Sequence, residues 1–208
     1  MFTRLDRELF GSHCEVYQLE ASQGFVYPIF KNGSSTLKKL PHKTLINQQL
    51  ANCKDITVYL RDPKERFVSG VHTYVESLDQ SLDRNTVLHF VKNFPFLNRH
   101  YMPQFFWLAQ LATYIHWSCT LNLKPLSELS DLTDSHVNHT SNSIDEEFKR
   151  DVLETVDLDS YLQLDQLLMD NVGKRVHWST LVADYYNIET LHYLSIFGIA
   201  DRFKRVLP

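Results

Sequence analysis

The apolar positions of the chain fall into two alternating kinds of segment. Phe25–Phe30 and Ile56–Leu60 are short, dense runs of aromatic and β-branched residues, the pattern of strands buried on both faces. Trp117–Leu126 alternates apolar and polar residues and predicts a third strand, and Glu15–Leu19 predicts a short one before the first run. Between the strands the period lengthens. Phe67, Val71, Tyr74 and Leu78 recur at helical spacing, so Pro63–Leu78 predicts a helix with one apolar face, with Pro63 in its first turn and Asp62 as its cap. Further helices are predicted over Lys43–Asn52, Thr86–Phe94, from Pro103 to Ile115, over Ile144–Thr155 and over Asp159–Met169. Thr180–Tyr186 and Glu189–Phe197 also read as helical, the latter closed by Gly198. Strands alternating with helices predict an α/β domain with a mainly parallel sheet. At 208 residues the chain is long enough for one full core and short for two, so it reads as a single domain, 1–208, with a core of 25–170 and a helical extension over 171–208.

The first strand runs into Lys31, Asn32, Gly33, Ser34, Ser35 and Thr36, a basic residue followed by a glycine and a run of hydroxyls. Gly33 admits backbone conformations other residues resist, and Ser and Thr are good helix N-caps. The following helix is short, because Pro41 interrupts it. A helix N-terminus offers unpaired N–H groups and partial positive charge, and Lys31 adds a full charge at its edge, so the expected ligand is a phosphate or a group like it. The Walker A order, with lysine after the glycine, is absent.

The second strand ends in Arg61-Asp62-Pro63-Lys64-Glu65-Arg66-Phe67-Val68-Ser69. Arg61 therefore stands at the carboxyl end of a strand, with Ser69 about two turns into the next helix. In a parallel sheet ligands bind outside the carboxyl ends of the strands, so Lys31 and Arg61 can meet on one ligand. Lysine before a Gly/Ser/Thr turn resembles the 5′-phosphosulfate loop of sulfotransferases, and R-D-P-x-E-R-F-x-S resembles their 3′-phosphate motif. His100, Pro103 and Gln104 form an H-x-x-P-Q feature similar to one in the carbohydrate, Golgi-type branch, and the His-Val-Asn segment at 136–138 resembles the late loop near the bound nucleotide. The resemblance covers about Phe25 to Met169, with the two phosphate motifs as its specific part.

The resemblance implies a three-layer αβα arrangement with a P-loop-like phosphate loop, and 3′-phosphoadenosine 5′-phosphosulfate as donor. Lys31 and the amides of Asn32, Gly33, Ser34, Ser35 and Thr36 would then hold the 5′ side, and Arg61 and Ser69 the 3′-phosphate. Asn138, with Thr140 near it, is a further donor-site candidate. Arg61 suits a phosphate because its planar fork bonds two oxygens at once, and Lys31 can stabilise charge developing on the leaving oxygen. The acceptor is expected to be a hydroxyl, with a saccharide preferred from the branch resembled. Its general base is left open among His100 first and His42 second, with His72 and Glu76 on roughly the face of Ser69. No metal is expected, since sulfuryl transfer requires none and no metal-ligand spacing occurs in the sequence.

Composition narrows the alternatives. A net charge of −4 disfavours nonspecific nucleic-acid binding and makes basic residues matter locally. No apolar run reaches the ~18 residues of a membrane span, and the first ten residues lack a signal-peptide core. The sequon Asn32-Gly33-Ser34 lies inside the proposed donor loop, where a glycan would block it, so a cytoplasmic location is expected. Cys14, Cys53 and Cys119 form neither a disulfide framework nor a metal motif and read as buried or free thiols. The aromatic run Phe105-Phe106-Trp107 reads as core, with a sugar-stacking platform as the alternative. Two other functions stay open. A P-loop-type kinase or nucleotide hydrolase shares the strand–loop–helix physics but needs Mg²⁺. A non-catalytic relative would bind nucleotide or glycan without turnover.

Overall fold

The computed structural model describes residues 14–77, 84–93, 98–132, 145–155 and 158–181. Among the described residues six strands form one sheet: β1 (Glu15–Leu19), β2 (Phe25–Tyr27), β3 (His42–Ile46), β4 (Asp55–Leu60), β5 (Thr120–Pro125) and β6 (Arg175–His177). Their order across the sheet is β3-β1-β2-β4-β5-β6. The central pairs β2–β4 and β4–β5 are parallel, while β1–β2, β1–β3 and β5–β6 are antiparallel. The protein is thus α/β, but the sheet is mixed and not mainly parallel: alternating strand and helix patterns reveal the parallel centre, whereas the short edge strands pair without a crossover helix.

The helices are α1 (Ser34–Leu37), α2 (Pro63–Ser77), α3 (Arg84–Asn93), α4 (Gln104–Ala112), α5 (Glu146–Thr155) and α6 (Leu158–Met169). None of the described helices is long and apolar enough to cross a membrane. Strand β2 is shorter than its apolar run because Pro28 has no N–H for the ladder. The segment expected to be helical over Lys43–Asn52 is instead the edge strand β3 followed by a 3-10 turn over Asn47–Asn52. The exposed edge of β1 recruits residues 42–46 into an antiparallel ladder, and Asn47, at φ 47°, breaks any helical continuation. The late loop with Asn138 and Thr140, and the helical pattern beyond residue 181, lie outside the described residues.

Alternate positions of each central strand bury on opposite faces. Tyr27, Ile56, Val58 and Leu60 join a large cluster with α4 and α6, including Phe105, Phe106, Trp107 and Leu168. Val26 and Tyr59 point the other way, into a smaller cluster with Leu37 of α1 and Leu129 of the 3-10 segment Leu126–Leu132. Helix α2 buries its apolar stripe elsewhere, with Phe67, Val68 and Val71 packed against α3, α5 and Tyr101. That leaves the amino end of α2 beside the carboxyl ends of β2 and β4. The three cysteines are free and buried.

Candidate functional site

Two loops leave the parallel centre of the sheet at the same end. The first follows β2 and contains two left-handed residues, Lys31 at φ 70° and Gly33 at φ 72°. Glycine takes that conformation freely, but for lysine it costs of order 1–2 kcal/mol, so the surrounding packing must impose it. The bend is fixed by Asn32, whose amide N–H bonds the Ile29 carbonyl at 3.0 Å. The Asn32 side chain is 1 % exposed and donates to the Tyr59 carbonyl of β4 at 2.9 Å. A Cβ on Gly33 would stand 2.3 Å from Leu129 Cδ2, so a side chain there would displace the Leu129 side chain besides straining the backbone.

The helix after this loop is a single turn capped by the Gly33 backbone with no side-chain cap. A helix of this length carries little macrodipole, so what it offers an anion is the N–H groups of Ser34 and Ser35; the amides of Asn32 and Thr36, also expected to hold the ligand, already bond the Ile29 and Gly33 carbonyls, each at 3.0 Å. Lys31 supplies the charge. Its ammonium donates to Thr73 Oγ1 at 2.7 Å, and it stands 5.6 Å from the Phe30 ring centroid. Burial pulls its pKa down, Glu76 opposes this, and Arg61 and Arg66 pull in the same direction as burial.

The second loop joins β4 to α2. Asp62 caps the helix through Oδ1 to the Glu65 amide at 2.9 Å, as its position before Pro63 predicts. Arg61 has a side chain 10 % exposed, with Nε 3.6 Å from Glu65 Oε2. Ser69 is buried at 4 % on the same helix. Arg66, fully buried, donates to the carbonyls of Met102 and, at 3.1 Å, of Phe30. The guanidinium therefore holds the peptide immediately before Lys31, a role the sequence motif did not suggest, since an arginine on a helix reads first as surface.

The H-x-x-P-Q segment closes the site from a third side. Helix α2 approaches it so closely that a Cβ on Gly70 would meet the His100 carbonyl oxygen at 2.2 Å. His100 packs edge-on against Phe30, with centroids 5.0 Å apart, and Arg99 lies 5.4 Å from the same ring. His100 Nδ1 is buried and has no hydrogen-bond partner among the described residues. Burial, then the charges of Lys31, Arg99 and Arg66, lower its pKa to about 4. Pro103 N-caps α4, and Gln104 begins it. The Gln104 side chain accepts from the Arg61 amide at 2.9 Å, donates to the Arg61 carbonyl at 2.9 Å, and also accepts from Asn32. Asp165 of α6, 1 % exposed, accepts from the backbone amides of Gln104 and Phe105, each at 2.9 Å. Burial raises the Asp165 pKa, while the Arg66 charge and these hydrogen bonds oppose the rise.

Lys31, Arg61, Arg66 and Arg99 are thereby gathered with neutral His100 at one end of the sheet, a local concentration of positive charge in a chain of net charge −4. His42 is not among them. It opens β3 opposite Leu19, and since Gln18 pairs with Phe25, it lies level with the start of β2, at the far end of the sheet. Its ring stacks on Tyr17 at 4.0 Å, and Nδ1 lies 2.6 Å from the Leu40 carbonyl. His72 and Glu76 pair with each other at 3.4 Å on α2. Phe105, Phe106 and Trp107 are core, exposed by 8 % at most, which leaves no stacking platform there. Among the described residues no group of three or more His, Cys, Asp or Glu side chains could hold a metal ion.

The residues missed from sequence were Arg66, Thr73 and Asp165. Arg66 stands inside the 61–69 motif but its role went unread, and Thr73 and Asp165 carry no local signal, because each acts through a partner more than thirty residues away in the chain. The chain matches no family model, no curated protein and no solved structure.

Proposed function

We propose that the protein is a sulfotransferase that moves a sulfuryl group from 3′-phosphoadenosine 5′-phosphosulfate to a hydroxyl, on a saccharide by preference. The observation that carries this reading is the convergence of the Lys31 loop and Arg61 at the carboxyl ends of the adjacent parallel strands β2 and β4. The donor set suits a dianionic or polyanionic ligand: Lys31 and Arg61 supply charge from the two loops, with Glu76 and Glu65 respectively beside them, and buried Arg66 braces the Phe30 carbonyl before Lys31. The reading includes a P-loop-like role for residues 31–36 and a three-layer αβα arrangement, supported by the burial of both faces of the sheet.

In this reading the residues divide the work. The acceptor oxygen bonds to sulfur as the bond from sulfur to the bridging phosphate oxygen breaks. The electron pair leaves with the phosphate, and the acceptor proton passes to a base. Lys31 faces the oxygen on which charge develops, where a fixed cation lowers the barrier most. His100 is the preferred base because it lies beside Phe30 and within the field of Lys31; it is neutral at neutral pH, and a bound anion that offsets the neighbouring cations would raise the basicity that burial and those charges lower. Arg61 holds the 3′-phosphate, and Ser69 adds a hydroxyl donor to it. Asn138 retains its assignment as a donor contact.

Titration calorimetry with 3′-phosphoadenosine 5′-phosphate, 5′-AMP and ATP in the presence of chelator tests the reading. Micromolar binding of the first that weakens without the 3′-phosphate supports it. ATP binding that needs Mg²⁺ points to the kinase-like alternative, and tight donor binding with no turnover on any acceptor points to a regulatory one. Arg61→Ala is expected to weaken binding of 3′-phosphoadenosine 5′-phosphate. Lys31→Ala is expected to reduce turnover far more than affinity.

A further inference from the structure

One buried amide touches both loops of the site. The Gln104 side chain is fully buried and closes a two-point bond with the backbone of Arg61, N–H to Oε1 and Nε2–H to carbonyl, each at 2.9 Å. The same Oε1 accepts from Asn32 Nδ2, which also bonds the Tyr59 carbonyl. Asn32 follows Lys31 directly, so the peptide that positions the lysine and the peptide that positions the arginine share one side-chain group. Gln104 is not free to turn. Asp165 Oδ2 accepts from its backbone N–H at 2.9 Å and from its Nε2 at 3.2 Å, while Oδ1 accepts from Phe105 N at 2.9 Å. The carboxylate, from a helix sixty residues further along the chain, thereby caps α4 and fixes which way the amide faces.

We propose that Gln104, oriented by Asp165, is a positioning residue that sets the distance between the two loops and so makes the site selective for ligands with two phosphoryl groups at one spacing. This rests on the reading of the site given above. The physical basis is the chelate effect. A ligand that reaches both loops gains from the second contact only to the extent that the second loop already stands where the first contact delivers it. A ligand with one phosphoryl group uses one loop and is indifferent to the spacing. Removing the clamp therefore weakens bisphosphate binding selectively, whereas general damage to the fold weakens both kinds of ligand together.

A second buried glutamine on α4 provides the comparison. Gln110 is 5 % exposed, and its Oε1 lies 3.2 Å from Tyr27 Oη, inside the core and away from both loops. The experiment measures the affinities of 3′-phosphoadenosine 5′-phosphate and 5′-AMP by calorimetry for the wild type, Gln104→Met and Gln110→Met, with thermal unfolding alongside. Gln104→Met is expected to reduce the preference for the bisphosphate by about tenfold while 5′-AMP affinity changes by less than about threefold. Gln110→Met, which alters the same helix and core, is expected to keep the wild-type preference. Asp165→Asn, which replaces one of the two accepting oxygens, should move the preference in the same direction as Gln104→Met. If Gln104→Met does not fold, Gln104→Asn, whose amide falls one methylene short of Arg61, carries the same expectation. An unchanged preference in a folded Gln104 variant, or an equal loss of both ligands, overturns the inference. A wild type that does not distinguish the two nucleotides overturns the proposed function itself, and this inference with it.

Discussion

The ammonium of Lys31 donates to Thr73 Oγ1 at 2.7 Å, and that hydroxyl donates in turn to the Ser69 carbonyl at 3.0 Å. The cation that would meet an incoming anion is therefore already engaged, one turn beyond Ser69 on α2. The ammonium keeps two further donors, but an anion that draws it away from Thr73 forfeits this bond, which is worth about 1 kcal/mol net. Thr73→Val keeps the shape of the side chain and removes the acceptor. It is expected to tighten binding of 3′-phosphoadenosine 5′-phosphate by about fivefold, as read by calorimetry. Unchanged or weaker binding would mean that Thr73 does not compete for the lysine.

His100 makes stability depend on pH in a defined direction. An unfolded histidine takes up its proton near pH 6.5, whereas folded His100 does so only at about 4. Between these values the unfolded chain binds more protons than the folded one. The stabilising contribution of neutral His100 is therefore complete above pH 6.5 and is lost as the pH falls towards 4. Denaturant midpoints measured across this window should decline less steeply for His100→Gln than for the wild type.

The same shift predicts an activity profile. If His100 is the base, the acid limb of kcat/KM, which reports the free enzyme, should lie well below pH 6.5. A limb at or above pH 6.5 that persists in His100→Gln would assign the base to another residue. A bound anion partly cancels the charges of Lys31 and Arg99, so the limb of kcat should lie higher than that of kcat/KM.

Gly70 is where α2 touches the backbone of the His100 loop. An added Cβ would stand 2.2 Å from the His100 carbonyl oxygen and 2.9 Å from Tyr101 Cα, both backbone atoms with little room to yield. Gly70→Ala, normally favourable in a helix, should here cost about 1–3 kcal/mol. Thermal melting should show a fall of roughly 5 °C. A rise in Tm would mean that the loop moves aside freely.

Arg66 and Asp165 are both about 1 % exposed, and the arginine's charge lowers the pKa that burial raises on the carboxylate. Arg66→Met should cost about 1–3 kcal/mol, because it leaves the Met102 and Phe30 carbonyls without their donor and removes a charge that favours the Asp165 carboxylate. Adding Asp165→Asn to Arg66→Met should cost less than the sum of the two single changes, a coupling that denaturant unfolding of the four proteins measures.

Much of the framework was legible in the chain. The dense runs at 25–30 and 56–60 needed no tertiary context to read as central strands, because only burial on both faces tolerates such a pattern. Proline and capping residues bounded α2, and the placement of Lys31 and Arg61 at strand carboxyl ends followed from the strand boundaries. The mistaken helix over Lys43–Asn52 has an equally physical origin: its local propensity is weak, and the unpaired edge of β1 offered residues 42–46 a full ladder of hydrogen bonds.

The sequence by itself thus determined the α/β class, the two loops and the residues that can carry charge to an anion. The tertiary structure alone decided which histidine joins them, because the pairing of Leu19 with His42 sends one to the far end of the sheet while the close approach at Gly70 brings His100 to Phe30. It also decided that Arg66, an arginine in the middle of a charged helix start, is buried, and that Asp165 and Gln104 hold the loops together. Local pattern records what each residue prefers in water or in a core. Which distant partner satisfies a buried polar group depends on how the helices pack, and that information is spread over the whole chain.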